Sequence, residues 1–292
     1  MLPNGESLTL ADFLSRWAEY NTLIRLLLKA EASPANIQNP SMAARLADCL
    51  GISYWETGLL VQATNYLEKA RKINEELGYE DSAVGSMINM GLVQDYQGNN
   101  AQAFNDFRAA YRRSKRSVSA LVSTRTQAIA AVNYGEAYLK RGDKKGAKPY
   151  LAEALKMAQA NRYRDVEGYA LCCFGDSYRN RNDAMAIENY IKSLQAFADT
   201  DYRRGRARAW NNLGLIYKAK YQVISLACLL KAETLRANIS DPQSVEARGN
   251  ILSLRASMTK ENQELAEVFA IREGWIPPTL KQAARQQLGQ VL

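Results

Sequence analysis

Histidine is missing from all 292 residues. With it go the usual general base at neutral pH, the Ser-His-Asp and Cys-His arrangements and the commonest metal ligand. Cysteine is sparse: Cys49, Cys172, Cys173 and Cys228 contain no CxxC pair and have no second ligand type beside them. They are read as reduced and buried, with no zinc or redox site expected. Proline numbers 7 and glycine 17, which excludes a collagen-like or linker-dominated chain. No stretch approaches the roughly 20 apolar residues of a membrane span. Acidic Glu6 and Asp12 stand where a secretory signal would carry basic residues, so the cytoplasm is the expected location. The GxGxxG, GxxxxGK[ST] and GxSxG patterns are absent and the carboxylates are scattered. The chain is therefore expected to be no enzyme, with no catalytic residue, cofactor or metal.

Apolar residues supply 47% of the sequence, enough for a core that holds without staples. The net charge of +8 is unevenly spread. Residues 1–107 carry 7 basic and 13 acidic side chains, residues 108–220 carry 23 and 10, and residues 221–292 carry 8 and 7. An acidic start beside a basic middle suits an acidic partner, a nucleic acid or a self-complementary dimer.

One glycine recurs as Gly51, Gly91, Gly135, Gly175 and Gly214, about every 40 residues. Each follows a large residue: Leu50, Met90, Tyr134, Phe174 and Leu213. Three positions later stand Tyr54, Tyr138, Tyr178 and Tyr217, with Tyr96 displaced in the second repeat. Seven later come Gly58, Gly98 and Gly142, then Asn182 and Tyr221. Twelve later come Ala63, Ala103 and Ala147, then Ile187 and Leu226. Sixteen later are Leu67, Phe107, Leu151, Ile191 and Leu230, and nineteen later Ala70, Ala110 and Ala154, then Leu194 and Glu233. Small residues at fixed spacing mark where helix backbones approach closely, and large ones fill the gaps, so each repeat reads as a pair of antiparallel helices.

This order resembles the tetratricopeptide repeat (TPR), over residues 41–237 or so. The longer period is similar to that of the repeats in kinesin light chains, Leu-Gly-Asn-type polarity adaptors and bacterial peptide-sensing regulators. Residues 212–273 also resemble the terminal repeats of cyanobacterial TPR proteins. The resemblance implies an all-α, right-handed superhelical solenoid of five helix pairs with helical caps. Residues 1–40 are then an N-terminal capping or docking segment, 41–240 the five repeats, 241–273 C-terminal capping helices, and 274–292 a tail with a short amphipathic helix. The N-terminal helix is expected over 8–31, with Leu10, Phe13, Leu14, Trp17, Ile24, Leu27 and Leu28 on one stripe and Thr9 as cap. The tail helix carries Leu280, Ala284, Leu288 and Val291.

In such an array the first helix of each pair lines the concave face. The column two before the repeat glycine reads Cys49, Asn89, Asn133, Cys173 and Asn212. Asparagine offers both a donor and an acceptor to a peptide backbone, and the family resemblance implies this position holds partner peptides. Flanking columns add Arg45, Tyr169 and Arg208, then Tyr96, Lys140 and Asn180. Together these form the expected peptide-binding set, suited to an acidic or extended segment of a partner protein. The competing reading is that the asparagines bond to neighbouring helices and the charges are solvated. A basic surface is expected at Arg112, Arg113, Lys115 and Arg116, at Lys144 and Lys145, and at Arg203 and Arg204. Aligned along the stack, it offers a second possibility, a nucleic-acid-binding regulator, although no recognised nucleic-acid motif is present. A third is a structural subunit of a larger assembly. Oligomeric state is not encoded in any of these features.

Overall fold

The computed structural model describes residues 20–116, 121–236, 243–279 and 282–283, and every regular element among them is an α-helix. In chain order these are α1 (Tyr20–Glu31), α2 (Pro34–Ile37), α3 (Pro40–Glu56), α4 (Leu60–Glu76), α5 (Glu80–Tyr96), α6 (Asn100–Arg116) and α7 (Thr124–Lys140). Then follow α8 (Lys144–Asn161), α9 (Arg164–Tyr178), α10 (Asp183–Phe197), α11 (Arg203–Tyr217), α12 (Gln222–Arg236), α13 (Gln243–Ser257) and α14 (Lys260–Ile271). The chain divides into one compact unit that ends its main span at Gly142 and another that starts at Asp143.

In the first unit the helices from α3 to α7 pack one on the next in chain order, which is how an α-solenoid is built. Asn39 caps α3, its side chain accepting from the Met42 amide, and Pro40 occupies the first turn, where no N–H is needed. Gly51 faces Leu67 so closely that a Cβ would lie 2.6 Å from the Leu67 Cγ, and one on Gly91 would lie 2.7 Å from the Phe107 ring. The repeat glycine is thus the contact point of the two helices in a pair. The turns at Gly58, Gly98 and Gly142 take φ near +80°, a conformation glycine adopts without cost.

Helix α1 covers the open side of the first repeat by burying Leu23, Ile24 and Leu27 against Leu46 and Leu50. Leu28, expected on that stripe, is exposed, and Leu23 takes its place. The expected residues Thr9, Leu10, Phe13, Leu14 and Trp17 lie outside the described residues. Cys172, Cys173 and Cys228 are buried, but Cys49 is only half-buried at the edge of the α1 contact.

In the second unit α8 to α12 again pack in order, and α13 and α14 both rest on α12. The two repeats here differ from the expected register. The second helix opens nine residues after the glycine in the first three repeats (Leu60, Asn100, Lys144) but eight after it in the last two (Asp183, Gln222). Every later position therefore moves back by one. The residue facing Gly175 is Tyr190, not Ile191, and the residue facing Gly214 is Leu229, not Leu230. The small positions fall on Ala186 and Ser225, then on Ser193 and Ala232, all fully buried, instead of Ile187, Leu226, Leu194 and Glu233. Ser193 and Ser225 donate to the Gly168 and Gly214 carbonyls at 2.7 Å. In the fourth repeat the left-handed turn residue is Asn180, at φ 66°.

Beyond α14, Trp275 stacks between Trp210 and Phe269, with ring centroids 5.7 and 5.5 Å away. The Tyr217 hydroxyl donates to the Pro278 carbonyl. The segment after Gly274, expected to be a separated tail, is thus packed on α11 at least as far as Pro278. Of the expected tail helix, Leu280, Ala284, Leu288 and Val291 lie outside the described residues.

Candidate functional site on the first helices

Helices α9 and α11, first members of neighbouring pairs, lie side by side in the second unit. Between them the fold gathers three expected residues, Tyr169, Arg208 and Asn212, around a fourth, Asp176. The Asp176 carboxylate pairs with the Arg208 guanidinium and accepts from the Asn212 amide at 2.7 Å and the Tyr190 hydroxyl at 2.5 Å. Arg179 donates to the Asn212 carbonyl oxygen at 3.3 Å. Arg208 lies 5.8 Å from the Tyr169 ring centroid, and Tyr169 meets Tyr202 edge-on. Burial, and then the negative charge of Asp176, pushes the Tyr190 hydroxyl far above the ordinary tyrosine range, so it stays protonated and acts as a donor. Asp176 and Arg208 keep 15% and 20% of their side-chain surface exposed. A ligand would therefore meet a preorganised patch of aromatic, cationic and acidic groups.

Asp176, Arg179 and Tyr190 were missed in the sequence. Asp176 was reachable, because it lies seven residues after Tyr169 and therefore on the same helical face. Its column, one after the glycine, reads Ile52, Leu92, Glu136, Asp176 and Leu215, too mixed to stand out.

The remaining members of the peptide-binding set are more dispersed. Asn180 is an exposed turn residue whose amide donates to Asp183. In the first unit Arg45 is exposed and Asn89 half-buried. Tyr96 sits edge-on to Trp55, and Lys140 pairs with Asp95 and Glu136. Asn133 is buried, its amide donating to the Ile129 carbonyl one turn back. Asn133 and Asn212 thus spend amide donors inside the fold.

Of the basic set, Arg113 is held by two carboxylates, Glu75 and Glu80. Their hydrogen bonds from Arg113 pull both glutamates below the usual carboxylate range. Arg112, Lys115 and Arg116 are exposed at the end of α6. Lys144 donates to the Arg179 carbonyl at 3.1 Å and Lys145 is exposed, both in the first turn of α8. Arg203 and Arg204 open α11 half-buried. Among the described residues no group of three or more His, Cys, Asp or Glu side chains is placed to hold a metal, and no helix is long and apolar enough to cross a membrane. Burial also holds the Cys228 thiol well above its ordinary pKa, which suits packing and not nucleophilic chemistry.

Residues 128–161, the third repeat, match the family model for the tetratricopeptide repeat. The same fold appears in the Rap conjugation gene regulator of plasmid pLS20, with a TM-score of 0.55 and 16% identity over 91% of this chain and 75% of that one. The chain carries a tetratricopeptide repeat. Two further structures share its fold. BtubC (BKLC) from P. vanneervenii has a TM-score of 0.51 and 15% identity over 80% of this TPR chain and 92% of that chain. A signal transduction ATPase with numerous domains from Pyrococcus horikoshii, which carries a TPR sensor, has a TM-score of 0.52 and 18% identity over 96% of this chain and 43% of that chain. No curated protein sequence matches this TPR protein.

Proposed function

We propose that this TPR protein is a non-catalytic adaptor of the cytoplasm that holds a segment of a partner protein on the first helices of its repeats. The observation that carries this reading is the partly exposed cluster of Tyr169, Asp176, Arg208 and Asn212, in which the polar groups are fixed by one another before a ligand arrives. A preorganised surface of this kind spares the ordering cost of binding. The Rap regulator, of like fold, is known in complex with the Phr* peptide, which supports a peptide as the class of ligand. Asn180 extends the proposed surface in the same unit, where Asn212 serves it by holding neighbouring groups in place. Arg45, Asn89, Tyr96 and Lys140, with Asn133 behind them, are a separate candidate set on the first unit.

The test is capture of partners from a cytosolic extract by the tagged chain, with and without nuclease and at two salt concentrations, in parallel with Tyr169→Ala. One or a few proteins should survive nuclease and be lost by the variant, with helical circular dichroism unchanged. Equal capture by the folded variant refutes the site. Loss of everything on nuclease treatment, with a steep salt dependence, supports the nucleic-acid alternative instead. Concentration-dependent mass of the chain alone would speak for a structural subunit.

A further inference from the structure

The first unit carries a concavity of its own. It encloses about 630 Å³ between α5 and α6, and Arg108, Arg112, Arg113 and Arg116 line it together with Met87 and Glu80. Arg108, Arg112 and Arg116 follow one another at intervals of four residues, so they share a stripe of α6 and stand about 6 Å apart along its axis. Arg112 and Arg116 are exposed and make no ion pair among the described residues. Arg108 donates only to Asn105, at 3.1 Å. The concavity therefore holds three guanidinium groups whose charge no carboxylate among the described residues pairs with.

The fourth guanidinium shows what the concavity accepts. Arg113 grips Glu80 in a two-pronged pair, Nε to Oε1 at 2.7 Å and Nη2 to Oε2 at 2.8 Å, the geometry in which arginine recognises a planar carboxylate. Its Nη1 reaches Glu75 as well. These two carboxylates come from the end of α4 and the start of α5 and satisfy one end of the arginine array. The other three members remain open to a carboxylate from outside.

We propose that this concavity is a second binding site, and that its occupant is an extended acidic segment of a partner protein with carboxylates at alternate positions. Alternate residues of an extended chain point the same way and lie roughly 6.6 Å apart, close to the 6 Å interval of the stripe. Each carboxylate would thus meet one guanidinium fork while the segment's backbone lies over Met87. A nucleic acid fits less well. No aromatic ring is among the described residues lining the concavity, so there is no platform for base stacking.

Fluorescence anisotropy with the full chain at low salt tests this. The probes are a labelled seven-residue peptide with Glu at alternate positions, a peptide of the same composition with its Glu residues consecutive, and a single-stranded RNA of similar length. The alternating peptide should bind at least several-fold more tightly than the other two. Arg112→Glu with Arg116→Glu, at exposed positions that should not disturb folding, should weaken it about tenfold or more. Arg112→Lys with Arg116→Lys, which keeps the charge but loses the fork, should fall between. Lys156→Glu, at an exposed position on the other unit, should leave binding unchanged. Undiminished binding by the folded double-Glu variant overturns the proposal, as does equal affinity for the clustered peptide or tighter binding of the RNA. Because Tyr169→Ala leaves this concavity intact, its result and this one are read independently.

Discussion

Replacing Gly175 by alanine should destabilise the second unit although alanine is the better helix former. A Cβ at this position would lie 2.5–2.8 Å from three carbons of the Tyr190 ring. That ring has little room to yield: Tyr190 is fully buried, and its hydroxyl is tied to Asp176. Overpacking of this kind costs about 1–3 kcal/mol, while the gain in helix propensity returns about 1 kcal/mol. With the ring pinned the cost lies in the upper part of that range, about 2–3 kcal/mol, so the net loss is about 1–2 kcal/mol, or a fall of about 2–8 °C in Tm at the usual sensitivity of domains this size. Gly85→Ala supplies the control. Gly85 also lies within a helix, but nothing stands within 4 Å of its added Cβ, so this change should stabilise by about 0.5–1 kcal/mol. Thermal and urea unfolding followed by circular dichroism would read both. Opposite signs are the expectation. If Gly175→Ala is as stable as the parent, or rises with Gly85→Ala, the repeat glycine is not a packing contact and the account of the helix pair fails.

Three further outcomes follow from contacts described above. Arg113→Met should cost about 1 kcal/mol at neutral pH. Because Arg113 lowers the folded pKa values of Glu75 and Glu80, that contribution is complete above the ordinary glutamate pKa and fades as pH falls through the lowered values. The gap between parent and variant in urea unfolding should therefore narrow below about pH 4.5, and a constant gap would refute the linkage. Ser193→Ala removes the hydrogen bond to the Gly168 carbonyl and should cost about 0.5–1.5 kcal/mol, measured by the urea midpoint. Trp275→Ala breaks two stacked pairs and should lower stability by about 1–3 kcal/mol. An unchanged Tm would show that the segment after Gly274 does not hold the end of the second unit.

The helix pairs were legible because their signal is redundant. Gly51, Gly91, Gly175 and Gly214 mark close approaches, and a mistaken residue at one column is outvoted by the others. The register of the last two repeats was not legible, because the shortened turn keeps a plausible apolar residue at the old spacing. Ile191 and Leu230 fit the pattern as well as Tyr190 and Leu229, and only the position of Asp183 and Gln222 as helix starts decides between them. The site was harder still. Tyr169, Arg208 and Asn212 were found by helical spacing on single helices, but Asp176 joins them through contacts between helices 32 to 36 residues apart in sequence. The packing of Trp275 had no repeating counterpart to announce it.

The one-residue difference between the turns has a consequence for how this chain tolerates insertion and how its parts can be recombined. Surface turns commonly absorb extra residues at little cost. Counted from its own first residue, the second helix makes its contact at the same places in both kinds of repeat: Ala63, Leu67 and Ala70 stand three, seven and ten after Leu60, and Ala186, Tyr190 and Ser193 stand three, seven and ten after Asp183. The difference is confined to the turn, and the helix that follows keeps its phase. One residue added before Asp183 would restore the nine-residue spacing of the first three repeats, so hybrids cut in the turn and joined across the two kinds should fold as well as hybrids that exchange whole helix pairs.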